Sequence, residues 1–130
     1  MNNKHELADS RRDKGFFSLK RLWRAMINSS AGLKSGFKHE TSIRQEALLA
    51  LILIPFAFFL HISMAFKALL IGVVILVPIV ELVNSALEAI VDKVSPEYDL
   101  LAKRAKDMGS AAVLLSLVNL IVVWLLALLG

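Results

Sequence analysis

From Thr41 onward the chain alternates long apolar runs with short charged ones. Ala47–Leu60 is almost purely apolar. Extended back through Thr41, it reaches the roughly 20 residues that a ~30 Å hydrocarbon core requires. Ala68–Val91 is a second run and Asp107–Leu129 a third. The pattern therefore predicts three membrane helices, over residues 41–60, 68–91 and 107–129. Pro55 and Pro78 fall inside two of them, where neighbouring helices tolerate proline. Pro55 is expected to kink the first, and Pro78, one turn before Glu81, to open the second locally. Gly109, Ala111 and Ala112 are small enough to let helices approach closely, and Asn119 reads as a polar link between helices.

Upstream the pattern changes. Residues 1–15 are polar, mixed in charge and without apolar period, which predicts a disordered tail. Phe16, Leu19, Leu22, Trp23, Met26 and Ile27 then recur at spacings of three and four, with Lys20, Arg21 and Arg24 on the other face. That predicts an amphipathic helix over residues 16–27, lying in the membrane interface. Asn28–Gly36 reads as a turn-rich break. In the lead-in to the first span, Glu40 and Arg44 are four apart, as are Ser42 and Glu46. The stretches 61–67 and 93–106 read as connectors, and Ser95-Pro96 marks a turn or a helix start.

Composition supports this picture. Of 130 residues 57% are hydrophobic, and the mean hydropathy is +0.66, too apolar for an ordinary soluble domain of this size. The length fits one all-α membrane domain. There is no cysteine, which excludes disulfides and thiolate metal sites. The net charge of +4 is concentrated in residues 1–44 and 93–106, beside the apolar runs, so it reads as membrane anchoring and not as nucleic-acid binding. The positive-inside rule then places the N-terminus and the 93–106 connector in the cytoplasm, and the first connector and the C-terminus outside. No signal peptide is expected, because no small-residue cleavage site follows the first apolar run.

One stretch conflicts with its surroundings. Within Val77–Asp92 the residues Glu81, Asn84, Ser85, Glu88 and Asp92 are spaced so that a 3.6-residue turn brings them to one face. A carboxylate near the bilayer centre costs roughly 2.5–3.5 kcal/mol on insertion scales, so such a stripe demands a purpose. Glu88 lies near the cytoplasmic surface, together with Asp92, Lys106, Asp107 and Glu40. Glu81 lies two turns deeper, about 10 Å away at 1.5 Å per residue. Soluble nucleotide-binding and hydrolase motifs are absent. Carboxylates at such a surface suit Mg²⁺ carrying a nucleotide's phosphates, with Glu40 and Glu88 as the best pair. Lys106 beside them suits a transferred phosphoryl group. Glu81, deeper and short of water, suits a general base for a hydroxyl arriving from the lipid side. On pattern alone three readings stand: a structural polar stripe, a lipid-active enzyme, and a proton or ion pathway. Three spans enclose little, so a symmetric oligomer is expected to seal the acids.

The run from Glu81 through Asn84, Ser85 and Glu88 to Asp92, followed by Lys106-Asp107-Met108-Gly109-Ser110-Ala111-Ala112, resembles the bacterial integral-membrane diacylglycerol kinase family. Its motifs E-x-x-N-[ST]-x-x-E-x-x-x-D and A-K-D-x-[GA]-[SA]-[AG]-A match without gaps. Glu40 followed by Arg44-Gln45-Glu46 looks like the family's entry to its first span. The similarity covers roughly residues 20 to 129.

The resemblance implies a homotrimer with three membrane helices and a surface helix per subunit, in a bacterial inner membrane. It implies transfer of the γ-phosphate of Mg-ATP to diacylglycerol, with undecaprenol as the alternative acceptor; the polar stripe by itself also leaves a non-catalytic membrane channel or scaffold as a more distant reading. By matching position, Glu81 is the expected catalytic base, supported by Asn84. Glu40 and Glu88 would hold metal and nucleotide. Lys106, Asp107, Glu97, Tyr98 and Asp99 would line the nucleotide site, with Arg21 and Asn28 as further ATP contacts. Asn28 stands where many members carry a tyrosine. Ser110 would line the lipid pocket, and Arg44 and Glu46 would flank the lipid entrance.

Overall fold

The structure, a computed structural model, describes residues 18–129. The tail expected over residues 1–15, and residues 16 and 17 of the expected surface helix, lie outside them. Among the described residues there are four helices: α1 (Leu19–His39), α2 (Thr41–Phe59), α3 (Met64–Val94) and α4 (Leu100–Leu129). The chain divides into two compact units between Ser35 and Gly36. Most of α1 belongs to the first, while its last turn belongs with α2, α3 and α4 to the second.

The expected break over Asn28–Gly36 does not form, and α1 runs unbroken to His39. The reason is energetic. Asn and Ser cost only up to ~0.7 kcal/mol per residue in a helix relative to Ala, and Gly about 1, whereas proline, which is absent here, costs about 3. Ser30 also returns its hydroxyl to the Met26 carbonyl, 2.9 Å away, and so stays compatible with the helix. Leu19, Leu22, Trp23, Met26 and Ile27 all stand exposed along it.

Helices α2, α3 and α4 are 19, 31 and 30 residues long and apolar enough to cross a membrane. At 1.5 Å per residue α2 about matches a ~30 Å core, while α3 and α4, near 45 Å each, outrun it. That excess carries the polar C-terminal turns of α3 and the polar N-terminal turns of α4 beyond the apolar spans. Both α2 and α3 are continuous through their prolines.

Helix α3 packs against both α2 and α4. The hydrophobic core occupies its N-terminal half: Leu70, Val73, Val74 and Val77 meet Ala57 of α2 and Leu120 and Trp124 of α4. Phe56 stacks on Trp124, with ring centroids 6.1 Å apart. Elsewhere the spans expose large apolar side chains, including Leu51, Ile79, Val83, Leu115 and Leu126. Lipid or further protein must cover these surfaces.

The joints are short and capped. Ser63 accepts from the Phe66 amide, and Lys67 donates to the Phe58 carbonyl at 2.8 Å, satisfying one of the orphan acceptors at the end of α2. Ser95 ends α3 one residue before Pro96, where the helical conformation is disfavoured. The Asp99 carboxylate then receives the amides of Leu101 and Ala102 at 2.7 and 2.9 Å and starts α4. The connector is thus residues 95–99, much shorter than the 93–106 stretch that charge marked out.

Candidate functional site

Construction of the site begins at the corner between α1 and α2, where Glu40 is the single non-helical residue. Its backbone is extended, with φ −106° and ψ 120°. Its amide still donates to the Gly36 carbonyl at 2.8 Å, so the last turn of α1 closes before the chain bends. Arg44, one turn into α2, reaches back to this corner. Its guanidinium donates to the carbonyls of Phe37 (2.8 Å) and Lys38 (3.4 Å) and to Thr41 Oγ1 (2.9 Å). Arg44, expected at the lipid entrance, therefore also fastens the corner. Gly36 beneath it is buried: a Cβ there would stand 2.8 Å from both Ile43 Cδ1 and Leu82 Cδ2. Glycine lets this turn sit directly on α2 and α3, and so fixes the half-buried Glu40.

Below the corner, Glu81 is the one charged side chain that is buried among the described residues, at 8% exposure. Its Oε1 accepts a hydrogen bond from the hydroxyl of Ser42 on α2. Glu46, one turn further along the same face of α2, has its Oε2 buried without a hydrogen-bond partner. Two carboxyl groups and a hydroxyl thus share the α2–α3 interface. The sequence contained the spacing of Ser42 and Glu46, but not the fact that this face meets Glu81.

One turn up α3, Asn84 donates through Nδ2 to Glu88 Oε1 at 3.1 Å. Its Oδ1 is buried, unpaired and pressed against Gly109 of α4. A Cβ on Gly109 would overlap that oxygen, stand 3.2 Å from Asn84 Cγ and meet Leu87 Cδ2 at 3.6 Å. The small residue expected to permit close approach therefore holds the Asn84 amide in the orientation that engages Glu88.

Above Glu88 lies the polar mouth. A cleft of about 470 Å³ is lined by Asp92, Glu97, Tyr98, Asp99, Lys106 and Asp107 among others. It brings together five residues assigned to nucleotide from the sequence. Lys106 Nζ is 3.0 Å from Asp92 Oδ1, whereas Asp107 pairs with Lys103 at 2.5 Å. Asp99 caps α4 as well as lining the cleft. Ser110 is exposed on α4. Arg21 and Asn28 are exposed on α1, within the first unit.

Among the described residues no three carboxylate or imidazole groups converge as a closed metal cage. The available donors are carboxylate oxygens, notably Glu40 and Glu88, with one oxygen of Glu88 already oriented by Asn84. Carboxylate oxygens are the donor type that suits a hard cation like Mg²⁺, which takes one or two carboxylates and completes its shell with water and substrate phosphates.

The fold and site define a membrane protein with three helices apolar enough to span the bilayer, and with a buried acid on the helix that also borders a polar cleft. A family model described as prokaryotic diacylglycerol kinase matches residues 27–128. The chain is 49% identical over 117 residues to the diacylglycerol kinase of Pseudomonas aeruginosa, covering 90% of this chain and 95% of that one. It is 41% identical over 104 residues to that of Escherichia coli K12 (80% and 85% covered) and 47% identical over 103 residues to that of Haemophilus influenzae (76% and 87%). The chain belongs to the prokaryotic diacylglycerol kinase family, and it is a kinase.

Proposed function

We propose that this protein transfers the γ-phosphate of ATP to the free hydroxyl of diacylglycerol, giving phosphatidic acid at the cytoplasmic face of a bacterial inner membrane. The observation that carries the reading is the vertical arrangement on α3. Buried Glu81 lies two turns, about 10 Å, below Glu88 and the polar cleft. A water-soluble nucleotide approaches from above and a lipid alcohol from below.

In the proposed reaction Glu81 accepts the proton of the lipid hydroxyl as its oxygen bonds to the γ-phosphorus. The bond from that phosphorus to the β–γ bridging oxygen breaks, and ADP leaves. Asn84 holds Glu88 in place. Lys106 offsets charge on the phosphates, which is the main work an enzyme does in phosphoryl transfer. Asp107, Glu97, Tyr98 and Asp99 bind the nucleotide in the cleft, with Arg21 and Asn28 as contacts from α1. Glu40 and Glu88 would hold Mg²⁺, which when bound neutralises phosphate oxygens. Ser110, Arg44 and Glu46 border the path of the lipid.

The functional unit is a homotrimer, with α1 lying in the interface on its exposed Leu22, Trp23 and Met26 and with the C-terminus periplasmic. Supporting this are the basic residues of α1 and those in the helix turns flanking the α3–α4 connector, Lys93, Lys103, Arg104 and Lys106, and the extensive apolar surface of α2–α4. The test is phosphoryl transfer from labelled Mg-ATP in mixed micelles holding diacylglycerol or undecaprenol. Transfer to diacylglycerol is expected. Preference for undecaprenol would keep the mechanism and replace the substrate, and transfer to neither by folded protein would refute the reading.

A further inference from the structure

We infer that Ser42 is a positioning residue for Glu81, acting through its hydroxyl on the carboxylate that receives the substrate proton. The inference rests on the assignment of Glu81 as the base. Ser42 sits in the first turn of α2, directly after the Glu40 corner, and its Oγ donates to Glu81 Oε1 across the α2–α3 interface. No other hydrogen bond is made to Glu81 by a described side chain, so this one sets the rotation of its carboxyl group.

The consequence is a division of labour between the two oxygens. With Oε1 engaged by Ser42, Oε2 is left to face an incoming hydroxyl. The bond also opposes a specific competitor. Glu46, a second acid, lies on the same face of α2 with its Oε2 buried and unpaired. Without the Ser42 hydroxyl, the Glu81 carboxylate is free to rotate out of line with the substrate. Small losses of alignment weaken a reaction that depends on a near-attack geometry. The corner contacts made by Arg44 and Gly36 hold the start of α2 at the height from which Ser42 reaches Glu81.

The test compares Ser42→Ala, Ser42→Thr and Ser42→Val in the full-length protein, with ATP and diacylglycerol varied separately. Thr and Val have nearly the same shape and differ in the hydroxyl, so this pair decides the matter even where Ala does not fold. Ser42→Val and Ser42→Ala are expected to lower kcat by about tenfold, with both KM values within about twofold of wild type. Ser42→Thr is expected to recover most of that loss. Wild-type kcat in folded Ser42→Ala, a loss confined to KM, or equal activities for Thr and Val would overturn the inference. Glu81→Gln is measured alongside. If it retains wild-type turnover, the base assignment itself fails. If it is inactive while the Val and Thr variants are alike, only the role of Ser42 fails.

Discussion

Replacing Gly109 by alanine adds one methyl group at a close contact between α3 and α4. The new Cβ would overlap Asn84 Oδ1 and crowd Cγ at 3.2 Å, and the atom that can move most readily is the end of the Asn84 side chain. The Asn84 amide must rotate, and the 3.1 Å bond to Glu88 is lost with it. A hydrogen bond to a charged group contributes about 1.5–3 kcal/mol. Alanine's better helix propensity returns up to ~1 kcal/mol to the folded state. That gain belongs to the folding equilibrium and leaves the reaction barrier unchanged, so the lost bond, expressed at the transition state, corresponds to a fall of about 10–150-fold in kcat/KM. The assay is steady-state transfer to diacylglycerol, with thermal stability recorded on the same sample. Gly72→Ala is the control, because nothing lies within 4 Å of the position its Cβ would take, and it should leave activity within about twofold. Wild-type kcat/KM in Gly109→Ala would show that the orientation of Asn84 does not matter to the reaction.

Other consequences follow from individual contacts. Glu88→Gln should raise the Mg²⁺ concentration needed for half-maximal rate several-fold, read from a metal titration at fixed ATP; an unchanged titration counts against metal ligation there. Lys106→Met should reduce kcat/KM for ATP by at least about tenfold by removing a charge from the phosphates, and unaltered ATP kinetics would exclude that contact. Asp99 separates two roles. Asp99→Asn keeps an oxygen for the Leu101 and Ala102 amides and should preserve stability, whereas Asp99→Ala should cost about 1 kcal/mol in unfolding free energy. An Asn variant with normal stability but a raised KM for ATP would show that the charge also serves the nucleotide.

The spans and the acidic stripe were legible because both are periodic. Apolar runs of sufficient length specify membrane helices, and Glu81, Asn84, Glu88 and Asp92 share a face by spacing alone. The element ends were not legible. Asn28–Gly36 contains residues that favour turns, yet none forbids a helix, and α1 continues to His39. Charge suggested a long connector over 93–106, but the Asp99 cap starts α4 at the next residue, Leu100. Contacts between elements were less accessible still. Nothing local marks Ser42 as the partner of Glu81, since that bond joins residues 39 apart. Arg44 likewise carries no sign of the carbonyls it clamps, because a helix C-terminus exposes acceptors only once the corner at Glu40 has formed. Gly109 was legible as a small residue, though not as the surface against which one particular amide rests.

The proposed reaction turns on buried Glu81 taking the proton from a lipid hydroxyl while nucleotide is held above it. The most direct measurement is single-turnover phosphoryl transfer to diacylglycerol by Glu81→Gln, with ATP binding and oligomer size determined on the same preparation. Glutamine keeps the size of the side chain and an oxygen that can accept from Ser42, but it is not a useful base. Transfer is expected to fall by at least about a hundredfold, with ATP affinity and assembly close to wild type. Transfer at the wild-type rate would contradict it and remove Glu81 from the chemistry.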